Sequence, residues 1–440
     1  MERSLNSLSV AAMLASVHYG IGFILGTGEK AYAFGAAGSL YAVSCGLGLI
    51  ALACLAPFYW QKREPLWTLL GDQYGKRVRG PVMFLSWAWM TGVVASQLLG
   101  GAFIISSLRF SPTPVMFLLA VAVMLISLLP VDRAALLFQV LIVSSSLALI
   151  YALTQVGSLE RYLQSVLDFA PALSGVGVGE VIGISLATVL ITVLGMDFHQ
   201  FVVRAQDRKV AQRGCLLAGA VLLLLAFLPS SVVVGASEQG IIPAGIDGKQ
   251  TIPAVLLWIG EQTNQVVGLV LVLSLLIAAL GSGAGVLRIM NRTLLDALVL
   301  TESPRRNRAI AVGNTALIQL VALSGQVLIN LIVSFYTIYA AGVLLPLVLY
   351  VWEDRGKGKS PPISVYFALI LGGGIAIILL ILSRFVDRPM LFGSNELTIL
   401  VLGVLSSVFG LFLGRLLGAD KENKPQDDNP ETCTRIESML

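Results

Sequence analysis

The chain has 440 residues, 56% of them hydrophobic and 12% charged, with a formal net charge of +4 and a mean hydropathy of +0.86. Soluble domains carry roughly 25% charged residues, so this composition excludes a soluble globular protein and makes the lipid bilayer its main partner. The excess of positive charge belongs to the loops of a membrane protein rather than to nucleic-acid binding.

Taken in order, apolar stretches bounded by charge predict spans over 8–33, 36–60, 81–107, 112–130, 134–157, 180–203, 212–236, 265–299, 308–325, 327–352, 362–384 and 395–417. Each is about 20 residues or longer, the length that crosses a hydrocarbon core. Between them, 158–179 and 237–262 are long enough to hold short amphipathic caps, such as the run from Ile252 to Ile259. The polar, Pro-bearing segment 419–440 predicts a disordered tail. Twelve spans that start inside place most of the 29 basic residues on one side, leaving only Arg109, Arg161, Lys249, Arg384 and Arg388 outside and Lys30 within a span. Lys and Arg collect in cytoplasmic loops, so both termini are expected in the cytoplasm and the protein in the plasma (inner) membrane. The cysteines Cys45, Cys54, Cys215 and Cys433 show no metal-ligand spacing.

Two spans carry polar interruptions. The first runs His18-Tyr19-Gly20-Ile21-Gly22-Phe23-Ile24-Leu25-Gly26-Thr27-Gly28-Glu29-Lys30. Glycines of this kind serve close helix packing as well as unwinding, but two adjacent charges within a span point to a cavity. Breaks are therefore expected at Gly26 and Gly28, with Glu29 and Lys30 in a binding site. The sixth span repeats the arrangement as Gly195-Met196-Asp197-Phe198-His199, with a break at Gly195 and with Asp197 and His199 as its polar groups. Helices five spans apart run in opposite directions, which is the outline of an inverted repeat with discontinuous helices around a central site. Gln97 is a polar residue in an apolar run and needs a partner, and Tyr336 is a further candidate for the lining.

The order of these features resembles the sodium:solute symporter family, an all-α integral membrane fold with a five-plus-five inverted repeat shared with LeuT-like transporters. Besides the glycine-broken first span, the resemblance uses Tyr32-Ala33-Phe34-Gly35-Ala36-Ala37-Gly38, Leu66-Trp67-Thr68-Leu69-Leu70-Gly71-Asp72, and Gly195 with Arg204-Ala205 and Ala211-Gln212-Arg213-Gly214. It also uses Ala278-Ala279-Leu280-Gly281-Ser282-Gly283. It covers about residues 18–350. It implies a first repeat over 1–157, a second over 158–352, and peripheral spans over 353–418. It also implies a Na⁺ site on the carbonyls of Leu25 and Gly28 with Ala279 and Ser282. The second hydroxyl that the family often supplies falls on Gly283 here, which leaves H⁺ coupling through Lys30 open beside Na⁺.

The expected function is ion-coupled secondary symport of a small polar organic solute by alternating access, with no enzymatic activity and no cofactor beyond Na⁺ or H⁺. Glu29, Lys30, Gln97, Asp197, His199 and Tyr336 are the expected substrate contacts. The alternatives are a proton-coupled permease of the same fold, a major-facilitator transporter, suggested by Gly71-Asp72-Gln73-Tyr74-Gly75-Lys76-Arg77, and a membrane sensor that binds solute without moving it. Oligomeric state is not legible in the sequence.

Overall fold

The computed structural model describes the backbone of residues 5–129, 131–301, 303–385 and 391–422, and the side chains of these residues except 131–142, 158, 196–198 and 418–422. The predicted tail falls outside the described residues beyond residue 422. Among the described residues the chain is helical, with a single isolated bridge between Leu5 and Ala205.

The first span is built in three pieces: α1 (Ser7–His18), a π-helical stretch (Gly22–Gly26) and α2 (Thr27–Phe34). The Asn6 side chain caps α1 by accepting from Ser9 N at 2.8 Å, a preferred residue type for satisfying a free helix-start amide. After α2 the chain turns at Gly35, whose φ of +58° suits glycine. It then passes through a 3₁₀ turn (Gly35–Ser39) into α3 (Leu40–Lys62). In that turn Gly38 lies against the backbone of α2, since a Cβ there would stand 2.3 Å from Ala31 N.

The chain continues with α4 (Leu66–Tyr74), α5 (Lys76–Ser106), α6 (Pro112–Ser127), α7 (Val131–Val156) and α8 (Ser158–Ala172). The sixth span is α9 (Val178–Leu194) and α10 (Met196–Val203), and the seventh is α11 (Arg208–Leu225) and α12 (Leu228–Glu238). The seventh was expected as one helix over 212–236. It is jointed at Ala226–Phe227, just before Pro229, which has no N–H to continue the ladder. The remainder are α13 (Thr251–Gln262), α14 (Gln265–Ala297), α15 (Pro304–Ala322), α16 (Leu328–Asp354), α17 (Pro362–Leu382) and α18 (Asn395–Glu422). Among the described residues, eight stretches are long and apolar enough to cross a membrane, over 22–62, 76–106, 178–203, 208–238, 265–297, 328–354, 362–382 and 395–417. The shorter apolar helices α1 and α6 and the segment 143–156 add to these.

The two ends of the bundle differ. At the basic end, Leu5 N donates to Arg204 O, Trp60 Nε1 donates to Ala205 O, and Lys62 pairs with Asp354. At the other, distal end, α2, α13, the start of α9 and the start of α16 meet. The centre is formed by α3, α5, α9, α14 and α16, with the π stretch packed on α5 and α16. Small residues allow this closeness, as expected where lipid gives no hydrophobic drive between helices. A Cβ at Gly100 of α5 would fall 2.0 Å from Ile21 Cγ2, and one at Gly414 of α18 would fall 2.3 Å from Ser364 Cα.

Candidate functional site at the break in the first span

The first span breaks at Tyr19–Gly20. Tyr19, with φ −80° and ψ 51°, leaves the helix, and Gly20 N turns back onto His18 O at 2.8 Å. The amide of Ile21 is then buried, and Gln97 Oε1 of α5 accepts from it at 3.0 Å. Leaving such a group unpartnered would cost about 1–3 kcal/mol. The helix restarts with Ile24 N donating to Gly20 O at 3.0 Å. No side chain fits at Gly20 without displacement, because a Cβ there would stand 3.0 Å from Ser282 Oγ and 3.1 Å from Gln97 Nε2. His18, buried, reaches Leu14 O with Nδ1 at 3.1 Å and Thr192 Oγ1 of α9 with Nε2 at 3.3 Å, joining the two broken spans.

A cavity of about 20 Å³, room for about one water molecule, opens beside this break and is lined by His18, Gly20, Phe23, Tyr41, Trp89, Gln97 and Tyr336 among others. Trp89, Val93 and Gln97 recur every four residues and present one face of α5 to it. The Tyr41 and Tyr336 hydroxyls are 3.3 Å apart, and Tyr41 also lines a second cavity, of about 10 Å³, with Lys30 and Glu180.

The second break is at Gly195, extended at φ −72° and ψ 130° between α9 and α10. Two of its loose carbonyls are engaged by side chains. Val193 O accepts from Tyr59 OH at 2.9 Å and from His199 Nε2 at 2.9 Å, and Leu194 O accepts from Tyr339 OH at 3.3 Å. The His199 ring lies on the Tyr59 ring with centroids 3.6 Å apart.

The distal end is held by two ion pairs on neighbouring residues of α2. Glu29 pairs with Lys249 at 3.2 Å and accepts from Leu328 N at 2.9 Å. Lys249 also meets Asp247 at 3.3 Å and lies 5.0 Å from the centroid of the Phe103 ring. Lys30 pairs with Glu180 in the first turn of α9 at 2.6 Å.

Gln97 and Tyr336 thus line the cavity and Ser282 stands against Gly20, but the other expected residues lie elsewhere. Gly26 and Gly28 do not break the helix. Both are in helical conformation, and they are small because a Cβ would come 2.8 Å from Ile329 Cγ1 or 2.7 Å from Ile252 Cδ1. Glu29 and Lys30 are consequently at the distal end in ion pairs rather than in the cavity. His199, in α10, bonds the Val193 carbonyl at the end of α9 and does not face them, and the side chain of Asp197 lies outside the described residues. Ser282 is level with Gly20, Ala279 is near Gly101, and Gly28 packs on Ile252 and Thr251. The sequence reading missed His18, Gly20, Tyr41 and Phe23 as site residues, although His18-Tyr19-Gly20 stood at the start of the glycine-rich run.

No protein-family model matches the chain, and no curated protein matches it. Solved structures do. The fold is that of the LeuT-like transporters to which the sodium:solute symporters belong, an all-α, multi-pass membrane architecture. A Na⁺-coupled sialic acid symporter in a substrate-bound outward-open state superposes with a TM-score of 0.70 at 14% identity, over 94% of this chain and 90% of that one. MHP1, a nucleobase-cation-symport-1 family transporter in a closed conformation with bromovinylhydantoin bound, gives 0.54 at 13% identity, over 95% and 93%. This fold removes the major-facilitator alternative.

Proposed function

We propose that the chain is a secondary symporter that moves a small polar organic solute by alternating access, coupled to Na⁺, with the solute and ion meeting at the Tyr19–Gly20 break. The observation that carries this reading is the break itself, where Gln97 holds the restarted helix and Ser282 and the end of α1 supply oxygen beside a cavity. The two neighbouring transporters named above, a Na⁺-coupled sialic acid symporter and a nucleobase-cation symporter, support it.

The donor set fits a Na⁺ ion. The C-terminal end of α1 directs its negative dipole end at the break, the Ser282 hydroxyl faces the same point, and hard cations prefer such oxygens. Ser282, with carbonyls at the C-terminal end of α1, would hold it in place of the Leu25 and Gly28 set. The ion would supply positive charge that helps the solute bind in the open form.

The chain's own residues would do the gating. Distal access requires Tyr41 and Tyr336 to part and the Glu29–Lys249 and Lys30–Glu180 pairs to release α2 from the turn before α13 and from α9. The joint at Gly195 lets α10 move relative to α9 at the basic end. The repeats would be 1–157 and 158–352, with 353–418 peripheral, twelve spans, and both termini in the cytoplasm of a plasma-membrane protein.

A second reading, coupling to H⁺, is favoured by one observation. His18 bridges Leu14 O and Thr192 Oγ1 across the two broken spans; Nδ1 donates to the Leu14 carbonyl, so gain of a proton would turn Nε2 from acceptor into donor toward Thr192 Oγ1. Proteoliposomes with an imposed Na⁺ gradient separate the readings. Under Na⁺ coupling, accumulation is lost when choline replaces Na⁺ and a proton gradient does not restore it, and the reverse result assigns coupling to H⁺. Solute that binds without accumulating under either gradient would make the protein a sensor.

A further inference from the structure

Toward the basic end of the bundle, three helices are held in register by one chain of hydrogen bonds. Trp87 Nε1 of α5 donates to Asn314 Oδ1 of α15 at 2.9 Å, and Asn314 Nδ2 donates to Asn291 Oδ1 of α14 at 2.8 Å. Eight residues further toward that end lie Arg79, Arg306 and Val299 in turn, about 12 Å along the axis at 1.5 Å per residue. The starts of α5 and α15 and the end of α14 therefore share one level. In sequence, 72–79 and 292–308 carry seven basic residues against three acidic, a surplus as large as the formal net charge of +4 of the whole chain.

That charge is not neutralised from within. Lys76, Arg77, Arg305, Arg306 and Arg308 are exposed, and among the described residues neither they nor Arg79 form an ion pair. Arg288 shows what an engaged arginine does here: Nε donates to Ser127 O at 3.0 Å, and the guanidinium also reaches Ile126 O and Leu129 O at the end of α6. The six others begin α5 and α15, at helix ends that are themselves positive and have no free carbonyl to offer. The loop that follows α14 breaks a second local rule. Val299 N donates to Asp296 O and Leu300 N to Leu295 O, a helix ending whose left-handed place usually goes to glycine. Val299 takes it at φ +53°, uncommon for a β-branched residue, and is 90% exposed between exposed Leu298 and Leu300. Local rules broken together in one place point to a function there.

We propose that this surface binds the headgroup of an anionic phospholipid in the leaflet at the basic end. The arginines at the start of α15, with Lys76 and Arg77 beside them, hold its phosphate, since guanidinium forks match phosphate oxygens. Leu298, Val299 and Leu300 rest at the boundary of headgroup and acyl chains, where an exposed apolar loop flanked by cations is stabilised by both. The general gathering of Lys and Arg on one side of a membrane is met equally by Arg355, Lys357 and Lys359 at the same end, which lie in a loop of their own after α16. What sets the α5–α15 surface apart is the pairing of two basic helix starts with the valine loop. It holds whichever solute or ion the protein moves.

The test is a thermal-shift titration of the purified full-length chain in neutral detergent, with phosphatidylglycerol, phosphatidylcholine and inorganic phosphate as probes. Phosphatidylglycerol is expected to raise the apparent melting temperature, because a ligand of the folded state stabilises it by mass action, and the other two are expected not to. Combining Arg305→Gln, Arg306→Gln and Arg308→Gln should weaken phosphatidylglycerol about ten-fold or more. Combining Arg355→Gln, Lys357→Gln and Lys359→Gln removes the same charge from the same end and should leave its affinity unchanged. If the first variant fails to fold, Val299→Gly serves in its place. It relieves the left-handed valine, so the lipid-free melting temperature should rise while the shift given by phosphatidylglycerol shrinks. An equal loss in both triple variants would make the attraction diffuse, and a shift with inorganic phosphate alone would make the site one for a soluble anion; either overturns the proposal. So does an equal shift with phosphatidylcholine, no shift with phosphatidylglycerol, or undiminished phosphatidylglycerol binding in the α15 variant or in Val299→Gly.

Discussion

The two interrupted spans solve the same problem in opposite ways. Breaking a helix inside a membrane frees backbone groups that need partners. At Gly195 the freed groups are carbonyls, and Tyr59, His199 and Tyr339 donate to them from within the packed core. At Tyr19–Gly20 the freed amide is that of Ile21, one side chain accepts from it, and a cavity lies beside it. The first is a closed joint, and the second leaves capacity for a ligand. A discontinuous helix is therefore not itself a binding site; what matters is whether its loose ends are already engaged.

Substitutions should separate joint from site. The largest effect is expected from Gln97→Leu, which strands the Ile21 amide. It should lower stability by about 1–3 kcal/mol, read as a lowered midpoint of unfolding, and abolish transport. If stability and uptake both survive, Gln97 does not hold the break. Ser282→Ala removes one oxygen from the proposed ion set and should raise the Na⁺ concentration for half-maximal transport about ten-fold, with the melting temperature in the absence of Na⁺ unchanged. Unaltered Na⁺ dependence would leave Ser282 as a packing residue. Tyr59→Phe at the second break still leaves His199 on Val193 O, so it should cost about 1 kcal/mol and leave solute affinity as it was. A large loss of affinity would show that the closed joint also binds. The smallest effect is assigned to Lys30→Met. The Lys30–Glu180 pair keeps 15% and 23% side-chain exposure, and partly exposed pairs are worth roughly 0–1 kcal/mol. The variant should instead raise labelling of a cysteine introduced at Tyr41 by a thiol reagent applied from the distal side.

Hydropathy made the spans legible because each must be apolar over its whole length, and the joint before Pro229 shows where length alone misleads. The polarity of Gln97 was equally readable, since a lone amide in an apolar run must have a partner. The register of the first break was not. Glycine permits unwinding and also permits close approach, and Gly26 and Gly28 are used for the second purpose, against Ile329 and Ile252. Nor could Glu29 and Lys30 be placed, because what neutralises them, Lys249 and Glu180, lies far along the chain and meets them only in the folded bundle. His199 was recognised as unusual, but its task is to serve the backbone of its own span.

Gln97 carries one consequence further. Its carboxamide is a single conjugated group whose oxygen accepts from Ile21 N and whose nitrogen faces the cavity. An acceptor placed on Nε2 pushes electron density toward Oε1, and hydrogen bonds in series polarise one another by about 10–30%. Occupancy of the cavity would thus be relayed through one planar group to the seam of the first span. Slower hydrogen exchange at the Ile21 amide in the liganded protein would be the trace of that relay.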